Sequence, residues 1–359
     1  MKGGETPDER FMRRALSLAR RGFGKVNPNP MVGALVVSRG EVVSEGYHRF
    51  FGGPHAEVEA LSKAGRRAKG ATLYVTLEPC SHWGKTPPCV EKIIECGISE
   101  VVAAVEDPNP LVSGKGFRRL KEKGIKVVTG VLEGEAREVN EPFFTFHEKG
   151  RPFVSIKVAI TVDGFMADSE GGSKWITGES ARRHAHRLRA YHDAVVVGAG
   201  TVKRDDPLLT VRIPGRWRQP RRVVIDPNGV LTGKEKVFGE TGRGTIVIQG
   251  RRRAGVNFPG EAVVIPEKNM KAKRMLEILK GEGVTSLLVE GGRYPFSLFF
   301  REKLVDRVYF FIAPRIICRG ISPFEFLPGM RVGEDVRFDL RQVRKLGNDL
   351  LIEGRPDWE

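Results

Sequence analysis

His55, Glu57, Cys80 and Cys89 are the residues of this chain whose types and spacing could do chemistry together. One imidazole and two thiolates make a three-ligand set, and three ligands leave a fourth position for water, which is how a catalytic zinc is held. Zinc brings the pKa of that water towards neutrality and so yields a hydroxide nucleophile. A further group must take the remaining proton and pass it to a departing amine, and Glu57 stands two residues from His55 for that task. The expected chemistry is metal-assisted hydrolysis, with Glu57 catalytic and His55, Cys80 and Cys89 on the metal. A structural zinc site would call for a fourth protein ligand, for which His82 is the obvious candidate. Two buried free cysteines would leave the His-x-Glu pair unexplained.

The elements needed to position these residues are visible around them. Ala71 to Leu77 alternates like a strand and delivers Glu78-Pro79-Cys80 at its C-terminal end. Pro88 to Glu95 reads as a helix start with Gly97 as its stop, and His55 to Lys63 reads as another. Two helix N-termini would then converge on the metal, where their positive ends favour thiolate over thiol. Asn29, in Asn27-Pro28-Asn29-Pro30 just before a strand over Val32 to Val37, either reaches into the same pocket or serves a turn.

His-x-Glu followed by Pro-Cys and a second Cys resembles the zinc-dependent nucleobase deaminases, which implies hydrolytic deamination of an amino-heterocycle, although these enzymes usually place two residues between the cysteines and here Ser81 to Pro88 intervene. The long segment from Glu78 to Cys89, with its Ser-His, Gly-Lys and Thr-Pro-Pro, closely resembles the bifunctional deaminase/reductase family of riboflavin biosynthesis. Pro54-His55-Ala56-Glu57-Val58, Asp107-Pro108-Asn109-Pro110 and Gly114-Lys115-Gly116 fit the same family. So do Lys157, Asp163-Gly164, Ser173-Lys174-Trp175-Ile176-Thr177, Asp205-Asp206-Pro207, Leu209-Thr210-Val211-Arg212 and Val289-Glu290-Gly291-Gly292, so the resemblance spans nearly the whole chain. The tRNA adenosine deaminases are a weaker match, having the short cysteine spacing and no second domain of this kind.

This resemblance implies an α/β protein: an N-terminal cytidine-deaminase-like three-layer domain over residues 1–148, then a dihydrofolate-reductase-like domain over 149–359. The first would remove the 2-amino group of 2,5-diamino-6-ribosylamino-4(3H)-pyrimidinone 5′-phosphate. The second would use NADPH to reduce the ribosyl chain, giving 5-amino-6-ribitylaminouracil 5′-phosphate. The implied NADPH contacts are Ala159, Trp175, Thr201, Asp205, Pro227 and the run Gly292, Arg293, Tyr294, Pro295, Phe296, Ser297 and Leu298. Pro227 stands where a small polar residue is more usual, and Ala159 where glycine is frequent. Ser173, Arg189, Leu209, Arg212 and Glu290 match substrate-holding positions, and Arg189 with Arg212 would make a fork around a phosphate. Lys157, inward on a strand, would support the substrate or the nicotinamide, since a buried lysine needs some such partner. His82 and Lys85, in the inter-cysteine insertion, are expected to face the deaminase substrate, the alternative being a surface loop.

The residues of the second part give independent, weaker support. Leu287 to Pro295 runs from an apolar strand through glycines into a helix over Pro295 to Glu302, and Val197-Gly198-Ala199-Gly200-Thr201 is a second strand-to-glycine turn. Such turns let backbone N–H groups approach a phosphate at a helix N-terminus, but each alone is most often structural. Two at strand ends of one domain point to a nucleotide crevice. Phe153 to Ala159, Ala194 to Val197, Arg222 to Asp226, Thr245 to Ile248, Ala262 to Ile265, Ser286 to Glu290 and Val308 to Ile312 are apolar with little alternation, as strands covered on both faces should be. Periodicity alone gives an α/β unit with a largely parallel sheet, beginning after a join near Gly150, to which Phe143 to His147 leads.

With 359 residues, the chain has room for two cores. The net charge of +16 admits a nucleic-acid surface, with Arg251-Arg252-Arg253 as its footprint. Against that, the basic residues are scattered and no aromatic-interleaved segment accompanies them, so anionic small ligands are the expected partners. Four cysteines, two of them assigned to metal, with Cys96 and Cys318 read as buried thiols, suit a reducing cytoplasm. No apolar run is long enough to span a bilayer. The expected cofactors are Zn2+ and NADPH; the expected partner is a phosphorylated pyrimidine, with no nucleic acid and no membrane, and a homo-oligomer is left open. The competing readings are a nucleic-acid deaminase with a C-terminal binding module, and a zinc-stabilised binding protein without catalysis.

Overall fold

The computed structural model describes residues 4–83, 87–240, 243–251, 255–260 and 262–358. It divides into two compact units, Met1–Gly150 and Arg151–Glu359.

The first unit opens with helix α1 (Pro7–Ala19), started by a capping box in which the Thr6 hydroxyl accepts from the Glu9 N–H and the Glu9 carboxylate accepts from the Thr6 N–H. Strands β1 (Gly33–Ser38) and β2 (Glu41–Tyr47) form a hairpin, and α2 (Ala56–Ala64), β3 (Thr72–Val75), α3 (Cys89–Glu95), β4 (Glu100–Ala103), α4 (Lys115–Glu122) and β5 (Lys126–Thr129) alternate after it. Helices α5 (Glu133–Val139) and α6 (Glu141–Glu148) close the unit. The sheet runs β2-β1-β3-β4-β5, antiparallel at β1 and parallel from β3 to β5. Because successive strand side chains face opposite ways, Ala34, Val36, Leu73 and Val75 bury one face with Ala60 and Leu61 of α2 and Ile93 of α3. On the other face α1 sits so close that a Cβ on Gly33 would come within 2.0 Å of the Ala15 carbonyl oxygen. The result is a three-layer sandwich in which each fully buried Leu or Ile contributes about 1.5–3 kcal/mol over exposure.

The second unit carries β6 (Phe153–Thr161), β7 (Ala167–Asp168), α7 (Glu179–Tyr191), β8 (Ala194–Gly198), α8 (Ala199–Asp205), β9 (Arg221–Asp226), β10 (Thr245–Gln249), β11 (Val263–Pro266), α9 (Ala272–Gly281), β12 (Ser286–Gly291), α10 (Arg293–Arg301), β13 (Arg307–Ala313), β14 (Gly320–Ile321), β15 (Phe338–Leu346) and β16 (Asp349–Pro356). Nine strands form one sheet in the order β11-β10-β9-β8-β12-β6-β13-β16-β15, parallel as far as β13 and antiparallel beyond it. Both faces are covered. Val196, Val223, Ile225 and Ile246 pack with Met275, Leu276 and Phe299 on one side, whereas Val195, Val197, Val224 and Val247 pack with Leu188 and Val202 on the other. That is why these strands read as continuous apolar runs.

Phe143 to His147, the segment that leads to the join, lies in helix α6. Two readings need correction. Cys96 is half-buried and Cys318 exposed, so neither is a buried thiol. Ala262 to Ile265 falls on β11 at the edge of the sheet, where Val263 and Val264 are exposed, so that strand is not covered on both faces. The largely parallel sheet is as expected; it turns antiparallel from β13 to β15, where a register shift between Leu340 and Gln342 hides the alternation of β15 in the sequence. Among the described residues no helix is long and apolar enough to cross a membrane.

Candidate active sites

In the first unit, His55 is the N-cap of α2 and Cys89 is the first residue of α3, while Cys80 follows β3. Their ligand atoms lie within 4.8 Å of one another. His55 Nδ1 is 3.2 Å from the Cys89 sulfur and 3.6 Å from that of Cys80. Ligands at 2.0–2.3 Å around a tetrahedral ion stand about 3.3–3.8 Å apart, so the triangle has the size of one face of a zinc site. One imidazole and two sulfurs are also donor types that zinc takes. Hydrogen bonding from Cys89 and from His55 outweighs burial and holds Cys80 down at about 4, a thiolate at neutral pH. Glu57 is 3 % exposed, and burial raises its pKa, so that this carboxyl can carry a proton.

These groups open on a cavity of about 310 Å³ that Asn29, His48, His55, Glu57, Cys80, His82, Asp107 and Asn109 help to line. Asn29 and His82 are thus brought to the site; Lys85 lies outside the described residues. His48, which sequence reasoning passed over, is buried with Nδ1 2.9 Å from the Pro54 carbonyl oxygen and Nε2 3.3 Å from the Asn29 amide nitrogen. The carbonyl demands a donor, so Nδ1 carries the hydrogen and Nε2 accepts from Asn29. The Asn29 amide is thereby oriented. Asp107 was also missed as a site residue, although its motif was seen; burial pushes it up to about 7.

In the second unit a cavity of about 880 Å³ lies along the C-terminal ends of β6, β8, β9 and β12, where ligands bind in open α/β sheets. Ala159, Trp175, Thr201, Asp205, Pro227 and Gly292 through Phe296 line it; Ser297 and Leu298 are buried behind. The cradle suits a dinucleotide. Gly291 leaves room that a Cβ would fill at 2.9 Å from the Thr201 methyl, and Gly292, at φ +97°, is the N-cap of α10 with no side chain capping it. The free N–H groups of that turn can meet a phosphate. Trp175 stands exposed as a flat platform with the Arg182 guanidinium 4.7 Å from its ring centre.

The same cavity is lined by Lys157, Ser173, Arg189, Arg212 and Glu290. Leu209 is buried in the core beneath, away from the lining. Arg189 gives Glu290 two hydrogen bonds, at 2.5 and 2.8 Å, and a third to the Thr210 carbonyl at 3.0 Å. Burial works to raise the Glu290 carboxyl, but Arg189 and Lys157 outweigh it and hold it low. The expected pair of equivalent arginines is therefore an unequal pair: Arg189 is already neutralised by Glu290, whereas the Arg212 guanidinium donates to the neutral Thr210 hydroxyl and keeps its charge for a ligand. His186 also lines the cavity and was missed because nothing in its helical spacing separates it from a core-facing residue; burial, with Arg189 and Arg212 beside it, lowers it to about 4.

Residues 152–352 match the family model of the RibD C-terminal domain. The chain belongs to the RibD family. Residues 5–105 match the zinc-binding region of cytidine and deoxycytidylate deaminases. The riboflavin biosynthesis protein RibD of Aquifex aeolicus is 45 % identical over 96 % of this chain and 97 % of its own length, and that of Escherichia coli 36 % over 96 % and 98 %. Among solved structures, RibD of Acinetobacter baumannii superposes with a TM-score of 0.90 at 36 % identity, covering 98 % of this chain and 99 % of the other. A diaminohydroxyphosphoribosylaminopyrimidine deaminase/5-amino-6-(5-phosphoribosylamino)uracil reductase of Thermotoga maritima gives 0.89 at 42 %, with the same coverage. As a RibD protein, the chain is an enzyme of riboflavin biosynthesis with a zinc-dependent deaminase and an NADPH-dependent reductase activity, and the expected two-part α/β architecture holds. The reading as a nucleic-acid deaminase is not favoured.

Proposed function

We propose that deamination belongs to residues 1–148 and reduction to residues 149–359, in the cytoplasm, on the phosphorylated pyrimidine named above and without nucleic acid. The observation that carries the first half is the convergence of His55, Cys80 and Cys89 with the buried Glu57 beside them. Zinc held by those three side chains supplies a Lewis acid that makes water a nucleophile near neutral pH. Glu57, its proton affinity raised by burial, takes the proton of the attacking water and delivers it to the 2-amino nitrogen, so that a C–O bond forms, the C–N bond breaks and ammonia leaves. Asn29, its amide fixed by His48, together with His82 and Lys85, would hold the pyrimidine and its phosphorylated tail.

In the second unit NADPH supplies the hydride that reduces the opened ribosyl carbon. The backbone at Gly291 and Gly292, the α10 turn and Thr201 would take its phosphates, and Ala159, Trp175, Asp205 and Pro227 its remaining surface. Arg212 would bind the substrate phosphate by charge-assisted hydrogen bonds. Arg189 and Glu290, locked together, would present a fixed polar wall to the sugar, with Lys157 and Ser173 beside it. The test is incubation of the purified protein with the diaminopyrimidine phosphate, with and without NADPH, following ammonia and NADPH together. Ammonia without NADPH, and NADPH oxidation only after deamination, are expected; absence of either removes the corresponding activity.

A further inference from the structure

Glu78 is 3 % exposed at the end of the segment that delivers Cys80, and no chemical step above uses it. Both of its oxygens are occupied by backbone donors. One accepts from the N–H groups of Asp107 at 3.2 Å and Gly114 at 2.9 Å; the other accepts from Gly116 at 2.9 Å and Phe117 at 3.2 Å. Four donors facing two oxygens require a group that only accepts, which is a carboxylate. Gly114, Gly116 and Phe117 belong to the open N-terminus of α4, whose first N–H groups have no partner within the helix. Gly114, at φ +70°, supplies no side-chain cap of its own, so a carboxylate from elsewhere in the fold takes that place. The approach is possible only because residue 116 is glycine: a Cβ there would lie 2.1 Å from the Pro79 carbonyl oxygen.

The segment between these anchor points, 107–114, carries Asp107, Asn109 and Val112 into the lining of the deaminase cavity. Within it the Asp107 carboxylate accepts from the Asn109 N–H at 2.8 Å and the Asn109 side-chain oxygen accepts from the Leu111 N–H at 3.1 Å, so each side chain is tied to the backbone of the segment that carries both. One carboxylate thus ties the two motifs Asp107-Pro108-Asn109-Pro110 and Gly114-Lys115-Gly116 to the stretch that holds Cys80. We propose that Glu78 is a positioning residue of the deaminase, setting the depth and tilt of the Asp107–Asn109 wall against the bound pyrimidine; this rests on the deaminase reading of the first unit. Gln at 78 has the same shape but turns an N–H2 group towards backbone N–H donors, and so releases part of the wall. Asp keeps the acceptor-only charge at a shorter reach.

Full-length, zinc-loaded wild type, Glu78→Gln and Glu78→Asp are to be assayed for ammonia release, with zinc content and NADPH oxidation on the deaminated pyrimidine measured on the same preparations. Glu78→Gln should keep its zinc and its NADPH oxidation, and raise the deaminase KM about tenfold or more while kcat falls less than about threefold; Glu78→Asp should recover part of that KM. A purely structural role would lower the active fraction, and hence kcat, with KM unmoved. A KM within about twofold of wild type, or a kcat loss at constant KM, overturns the proposal. If Glu78→Gln does not fold, the same split read on Glu78→Asp decides in the same way. A wild-type chain that releases no ammonia overturns the deaminase reading, and this role with it.

Discussion

At the scale of single residues, the chemistry was legible wherever it depends on residue type and spacing. His55, Glu57, Cys80 and Cys89 announce themselves because few arrangements use an imidazole, a carboxylate and two thiols in that order. Replacing Glu57 by Gln should leave about one zinc per chain yet lower ammonia release by about 10²–10⁴-fold, since the side chain moves protons and holds no metal. Cys80→Ser should lose zinc in metal analysis, and full retention would remove it from the ligand set. What spacing could not reveal is pairing across the fold. Nothing around Arg189 in the sequence says that Glu290 neutralises it, so two arginines with one expected role separate in the structure. Their substitutions should diverge accordingly. Arg212→Ala should cost the reductase about tenfold to a hundredfold in kcat/KM, the worth of a charge-assisted hydrogen bond or two, with the melting temperature unchanged. Arg189→Ala strands a buried carboxylate and should also destabilise the second unit by about 3–5 kcal/mol, seen as a lowered melting transition. His48 and His186 escaped notice for a related reason: a lone histidine carries no signal until its neighbours are known.

Helices and strands were legible where one face is buried against water or where both faces are buried. α2, α3 and the strands β8, β9 and β12 follow directly from periodicity and glycine stops. β15 was not, because its register shift breaks the period of two and its side chains, Leu340 and Val343 included, stay largely in solvent. The elements that frame the deaminase also rest on close approaches a sequence does not display. Gly33→Ala drives a methyl into the Ala15 carbonyl and must push α1 off β1; a loss of about 1–3 kcal/mol in denaturant unfolding is expected, with zinc retained. Thr6→Ala, which removes one half of the α1 capping box, should cost only about 1 kcal/mol in the same measurement.

At the scale of the whole chain, each unit has its own core and its own cavity, so Glu57→Gln protein should still oxidise NADPH when given the deaminated pyrimidine. The units should differ in their response to acid. His192, fully buried between Leu188 and Ser155, is pushed by burial down to about 4, and His184 and His186 reach about 4 as well. Between pH 6.5 and 4 the unfolded chain takes up protons that the native unit refuses, so stability is full above pH 6.5 and declines as the pH falls through that window. His192 alone accounts for about 3 kcal/mol of this, and His192→Gln should flatten the fall of melting temperature with pH. The sheet of the second unit also imposes an order of events on a chain emerging from the ribosome. β6 is the first strand of that sheet to be made, yet its hydrogen-bonding neighbours are β12 and β13, with Phe153 paired to Ser286 and Ser155 to Arg307. The deaminase sheet can close while its last strand is still recent, but β6 must wait, both edges bare, until the chain is nearly complete. Synthesis slowed between β6 and β12 should therefore leave the zinc site assembled and protease-resistant while the reductase half is still a substrate for chaperones.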